Sequence, residues 1–284
     1  MKYVTRGQGV VEIKTGIKGP RIGMVCNVHG NELCGRKAIH RVLKDHLIER
    51  GSLVLIDGNQ EAALLDRRFV KSDMNRMFTD KQLSKANAKD DLARAQYLAQ
   101  IMPTLKLDQI IDFHSTSSEM KHAFSVCFPE AQHLANMVPV VPIYGFKGIV
   151  KGTLIEWMID QGVPSLVVET GEHYSTKAVN IAEQVVLSVL SHYGLITLKK
   201  PLKQKKRPSF EVLEHVQVRH AASFTLTREY ASFDKLDAGE LIAKDEKYEY
   251  RVPDEKGLYI LMPATQSNVR KGVSPGAYYL MRKV

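Results

Sequence analysis

No stretch of this 284-residue chain approaches the ~20 consecutive apolar residues that a membrane-spanning helix requires. Its first residues, Met1-Lys2-Tyr3-Val4-Thr5-Arg6, also lack the apolar core of a secretory signal. These absences point to a cytoplasmic protein with no membrane partner. Cysteine is scarce. Cys26, Cys34 and Cys127 make an odd number with no Cys-x-x-Cys pair, so neither a disulfide framework nor a thiolate zinc finger is expected, and the three read as reduced, buried thiols. No repeat of solenoid length is present.

What is present is the composition of an ordinary globular protein, 44% hydrophobic and 25% charged, which supports a sizeable core and argues against general disorder. The length exceeds the usual single domain and favours a main domain with an appendage. A formal charge of +9 is compatible with nucleic acid, with an anionic substrate or simply with a solvated surface. Its densest run, residues 199–208, carries two prolines and no aromatic residue on which a base could stack. It reads as a charged linker between a unit at 1–198 and another at 209–284, and no nucleic-acid partner is expected.

Before the linker, short β-branched runs alternate with longer segments of helical period, the pattern of an α/β fold with a mostly parallel sheet covered by helices. Strands are expected at 21–28, 52–56, 109–113, 123–128 and 165–169, and helices at 33–50, 91–105 and 177–193. After Pro208 the pattern becomes short alternating stretches, at 212–219, 223–228 and 257–262, parted by Asp, Gly and Pro. That region reads as a small all-β domain.

Four segments carry chemistry. In Asn27-Val28-His29-Gly30-Asn31-Glu32 an apolar strand runs through a glycine turn into a helix, a geometry that lets an imidazole and a carboxylate converge on one metal ion. In Ile110-Ile111-Asp112-Phe113-His114-Ser115-Thr116 a second apolar strand ends in a histidine, at the sheet edge where open α/β folds place ligands. His29, Glu32 and His114 therefore make a three-ligand site with a fourth position open, the pattern of a catalytic zinc. Asp112, on the same strand face as His114, is placed to fix the tautomer of a ligand imidazole. Either histidine alone would more often be a satisfied strand-end residue; both together shift the balance.

The third segment, residues 66–78, is dense in arginine and suits an anion, and a guanidinium beside a metal stabilises an oxyanion. The fourth, Ser165-Leu166-Val167-Val168-Glu169-Thr170-Gly171, is a buried-type strand finishing on a carboxylate. Near a metal-activated water, Glu169 can act as general base and then acid; an N-cap or ion-pair role is the structural alternative.

In this order and spacing the four segments resemble the aspartoacylase and succinylglutamate desuccinylase family of the zinc carboxypeptidase superfamily. His29-Gly30-Asn31-Glu32, Asp73-Met74-Asn75-Arg76, Asp112-Phe113-His114-Ser115-Thr116 and Glu169-Thr170-Gly171 correspond to its motifs, and Asn59 and Ala62 also fit. The resemblance implies a zinc-carboxypeptidase-like mixed sheet flanked by helices, with a smaller all-β domain capping the site. It implies one Zn2+ per chain on His29, Glu32 and His114, with Glu169 as acid-base and Arg68 polarising the scissile carbonyl. Asn75 and Arg76 would hold a substrate carboxylate, and Tyr278 would reach in from the C-terminal domain.

The implied activity is deacylation of a small anionic N-acyl amino acid; whether chains assemble into a homo-oligomer is open. One departure stands out. The family carries a further arginine shortly before the catalytic glutamate to grip a side-chain carboxylate, whereas residues 147–153 here hold only Lys147 and Lys151. Alternatives are a metallocarboxypeptidase acting on a peptide C-terminus and, from another class, a non-catalytic basic module binding nucleic acid through the linker.

Overall fold

The computed structural model describes residues 1–202, 206–265, 269 and 276–284. Residues 203–205, the middle of the expected linker, lie outside the described residues. In chain order the elements are β1 (Lys2–Gly7), β2 (Val10–Lys14), β3 (Arg21–Cys26), α1 (Cys34–Asp45), β4 (Ser52–Asp57) and α2 (Gln60–Leu64), then α3 (Asp80–Leu83), α4 (Asp90–Ile101), β5 (Gln109–Thr116), β6 (Phe124–Val126), α5 (Gln132–Ala135) and β7 (Val141–Tyr144). They continue with α6 (Leu154–Asp160), β8 (Ser165–Glu172), α7 (Thr176–His192), β9 (Phe210–Gln217), β10 (Thr225–Leu226), β11 (Leu241–Lys244), β12 (Glu249–Arg251), β13 (Leu258–Leu261) and β14 (Gly276–Lys283). Among the described residues no helix is long and apolar enough to cross a membrane.

The centre of the molecule is a mixed sheet of eleven strands, ordered β1-β2-β4-β3-β5-β8-β6-β7-β9-β14-β13. Strands β4, β3, β5 and β8 run parallel, and β5 is buried along nearly its whole length. Such two-sided burial explains why its sequence is a continuous apolar run rather than an alternation. Within that run the pleat still sorts side chains by face. Ile111 and Phe113 join Leu166 and Val168 in a core beneath α1 and α7, while Ile110 joins Val25 and Val54 beneath α4 and α6. Asp112 and His114 continue the face of Ile110 toward the carboxyl edge.

Helix α1 buries Cys34, Gly35, Ala38, Ile39 and Val42 along one stripe and stops at Asp45, five residues short of the expected end, where His46 turns extended. Helix α4 ends at Ile101 and passes into a 3-10 turn at Met102–Leu105, because Pro103 has no N–H to continue the α pattern. All three cysteines are free and buried.

The region after Pro208 is strand-rich, as expected, but it is not a detached sheet. Strand β9 lies parallel to β7, and β14 and β13 follow it, so three C-terminal strands complete the main sheet. Only β10, β11 and β12 form a separate three-stranded sheet.

Candidate metal centre and its cavity

Three side chains meet at the carboxyl edge of β3 and β5. His29 follows β3 in the turn leading to α1, Glu32 lies three residues on, and His114 stands near the end of β5. Gly30 permits the turn: a Cβ there would fall 2.2 Å from the carbonyl carbon of Ala62, a backbone atom that cannot step aside. The Nδ1 atoms of the two imidazoles are 3.2 Å apart. Each lies 2.9 Å from one oxygen of Glu32. All three residues are buried.

Both remaining imidazole nitrogens are held by carboxylates. His114 Nε2 is 3.0 Å from Asp112 Oδ2, and His29 Nε2 is 3.2 Å from Asp73 Oδ1. Carboxylate pairing of this kind fixes the tautomer and turns the free nitrogen toward a metal. Asp73 is braced in turn by Arg68, whose Nη2 donates to Asp73 Oδ2 at 3.0 Å. Burial pushes Glu32 upward in pKa, but the two imidazoles outweigh it and hold the carboxyl well below its usual range. Burial likewise pulls His114 down, and Asp112 and Glu32 overcome it and raise it well above the histidine value.

Two nitrogens and a carboxylate oxygen are the donor types zinc prefers, and a tetrahedral ion with bonds of ~2.0 to 2.1 Å needs donors ~3.3 Å apart. The observed 2.9 and 3.2 Å separations fit that requirement with small outward movement. No other group of three or more such residues occurs among the described residues.

Glu169 faces the same space. In the parallel pairing of β5 and β8 it lies opposite His114. It is buried, and its Oε2 has no hydrogen-bond partner among the described residues. Burial raises its pKa to about 7, with His114 pulling the other way. Arg68 Nε is likewise buried without a partner. A base without a proton donor and a donor without an acceptor, on the walls of one cavity, mark where a reacting group would sit.

That cavity measures about 660 Å³. Asn75 lines it with its Oδ1 already accepting the Leu154 N–H at 2.9 Å, which leaves its amide as the available donor. Arg76 donates from Nη1 to Asn75 O and has no carboxylate partner among the described residues. Tyr278 also lines the cavity, but its ring packs in the C-terminal core with Phe224 and Tyr250. Neighbouring strand residues face opposite ways. Tyr279 is accordingly the one beside Arg76 and Glu169, its hydroxyl pushed up to about 12 by burial.

Several lining residues escaped the sequence reading. His215 on β9 stacks on Tyr279 with ring centroids 4.2 Å apart, and Gln217 follows on the same face. His173 Nδ1 lies 2.8 Å from the Ser115 hydroxyl, just beyond the carboxyl end of β8. A histidine four residues after a strand-end glutamate was a legible signal; the β9 pair was not, since nothing before the topology sets β9 beside the site.

Comparison with known proteins gives a consistent picture. The model of the Succinylglutamate desuccinylase/Aspartoacylase catalytic domain matches residues 18–193. A probable aspartoacylase of Parasynechococcus marenigrum (strain WH8102) is 31% identical over 159 residues, and the match spans only about half of either chain, 52% of each. The solved succinylglutamate desuccinylase of Vibrio parahaemolyticus superposes with a TM-score of 0.75 at 16% identity, covering 97% of this chain and 86% of that one. Murine aminoacylase 3 superposes at 0.67 with 17% identity, covering 95% and 97%. At such identities these two likenesses show the fold.

Proposed function

Because the chain belongs to the succinylglutamate desuccinylase/aspartoacylase family, we propose that it is a zinc-dependent amidohydrolase that removes the acyl group from an N-acyl amino acid. The observation that carries this reading is the convergence of His29 Nδ1, Glu32 and His114 Nδ1 beside Glu169, whose Oε2 has no hydrogen-bond partner among the described residues. His29, Glu32 and His114 would hold one ion per chain. Bound there, zinc supplies Lewis acidity and brings the pKa of water toward ~7.

The protein's own groups do the rest. Glu169 Oε2, unpartnered and raised toward neutrality, accepts the proton of the attacking water and returns it to the leaving amine. Arg68, anchored at Nη2 by Asp73, turns its unpartnered Nε toward the oxyanion that develops on the carbonyl. Asn75 and Arg76 hold the substrate carboxylate. His215 and Gln217 of β9 and Tyr278 and Tyr279 of β14 wall the cavity beside them, with Tyr279 next to Arg76 and Glu169.

A long peptide needs an open groove, and the wall of His215, Gln217 and Tyr279 disfavours a carboxypeptidase. The decisive experiment combines metal analysis with hydrolysis of acetyl and succinyl amino acids, and of tripeptides, by the wild type and E169Q. The expected result is one zinc per chain in both proteins, turnover of acyl amino acids but not tripeptides, and a loss of at least ~10²-fold in E169Q. Full activity of E169Q, or activity indifferent to metal removal, would overturn the assignment.

A further inference from the structure

The face of the sheet that carries Glu169 becomes apolar one step away from it. Val167 lies two residues earlier on β8 and so points the same way, and Val126 on β6 is its directly opposed neighbour. Phe128, Phe146, Ile149 and Ile155 continue this surface around the same cavity. Phe128, Phe146 and Ile155 are buried, and none of the six offers a polar side chain to a ligand.

The charges of the cavity are mostly committed. Arg68 is bound to Asp73 and faces Glu32, and Lys71 pairs with Asp90 at 2.9 Å. Arg76 remains as the one lining guanidinium without a carboxylate among the described residues. Lys151 also lines the cavity but is exposed, so water competes for its ammonium. A substrate with one carboxylate finds a partner at Arg76; a second carboxylate seated on the Val126–Val167 wall would be pressed against valine, isoleucine and phenylalanine with its water removed.

We propose, on the strength of the amidohydrolase reading above, that the preferred substrate is a monoanionic N-acyl amino acid with an aliphatic or aromatic side chain, seated on the Val126–Val167 wall. A substrate with more than one carboxylate, such as dianionic N-acetylaspartate or trianionic N-succinylglutamate, is the disfavoured class. Each methylene matched by an apolar pocket is worth ~10-fold or more in kcat/KM, so the preference is large enough to measure.

The test measures kcat/KM of the zinc-loaded full chain for N-acetylleucine, N-acetylphenylalanine, N-acetylaspartate and N-succinylglutamate. At least a ~10-fold advantage for the first two is expected, and an equal or better rate with either of the last two overturns the proposal. I149R, or V150R should the first fail to fold, is expected to shift the ratio toward N-acetylaspartate by ~10-fold, whereas K151A leaves it unchanged. Calorimetric binding of the same ligands to E169Q separates this inference from the reading beneath it. Tighter binding of N-acetylleucine without wild-type turnover would support the pocket and fault the chemistry; tighter binding of N-acetylaspartate would fault the pocket alone.

Discussion

Asp91 touches neither the metal centre nor the cavity's reacting groups, yet its removal is expected to unfasten both. The side chain projects from the first turn of α4 and is 2% exposed. Its Oδ1 accepts from Asn59 Nδ2 at 2.7 Å and from the Val70 N–H at 3.0 Å. Its Oδ2 accepts from the N–H groups of Lys71 and Ser72 at 2.7 and 3.0 Å. One carboxylate therefore gathers the loop between Arg68 and Asp73. Burial pushes its pKa up, but the three backbone donors and Asn59 outweigh burial and hold it below the usual value. A depressed carboxyl contributes stability above its unfolded pKa of ~3.8 and loses it as pH falls through the folded value, so at pH 7 the whole contribution is present.

Hydrogen bonds to a charged group are worth ~1.5–3 kcal/mol, and each donor left unmet costs ~1–3 kcal/mol. With water reaching part of this surface loop, D91A is expected to lose about 3–5 kcal/mol, and D91N, which keeps one acceptor oxygen, about half of that. The assay is urea unfolding at pH 7, with zinc affinity followed by competition with a chelator. Affinity should weaken by ~10-fold or more, because Asp73 no longer steadies His29. If D91A unfolds within ~0.5 kcal/mol of the wild type and binds zinc equally well, the loop is held by something else and this account of it fails.

The partner of His114 gives a sharper test: D112N should weaken zinc binding by ~10–100-fold while leaving the fold intact, and an unchanged affinity would show that the pairing does not tune the ligand. For the metal-free protein, Glu169 has a raised pKa of about 7 against 4.5. The sign follows: its contribution favours folding below 4.5 and is lost as pH rises through 7. Urea unfolding of E169Q should therefore gain on the wild type between pH 5 and pH 8 by on the order of 3 kcal/mol, and parallel curves would refute the buried-carboxylate reading. G30A drives a Cβ into the backbone of Ala62 and Ala63 and should lower stability by ~2 kcal/mol or more, with loss of the bound metal. A G30A protein that unfolds and holds zinc like the wild type would show that the turn can move.

How much of this was readable beforehand depends on the kind of force involved. The parallel strands announce themselves because two-sided burial demands unbroken apolar runs, as in Gln109–Thr116. The β1 and β2 hairpin does not, since β1 lies at a sheet edge, largely exposed, and needs no apolar run. His29, Glu32 and His114 stand where apolar runs end, so they were legible as a group, and the structure sets them side by side. Asp73 reaches His29 from 44 residues away, which no local pattern encodes. The pair Tyr278-Tyr279 shows the limit most plainly. Alternation turns the two rings apart, but which one comes beside Arg76 and Glu169 depends on the β9–β14 register and its two bulges.

The parallel contact between β7 and β9 joins Ile143 to Phe210 and Tyr144 to Glu211. A chain ended before β9 would therefore leave Val141–Tyr144 as a bare sheet margin, with the apolar faces of Phe124 and Ile143 stripped of Phe210 and Val212. Unpaired margins of that kind template association with other chains. Fragments stopping at the lysine-rich segment should accordingly collect in inclusion bodies, and soluble production calls for carrying the polypeptide through to its final strand.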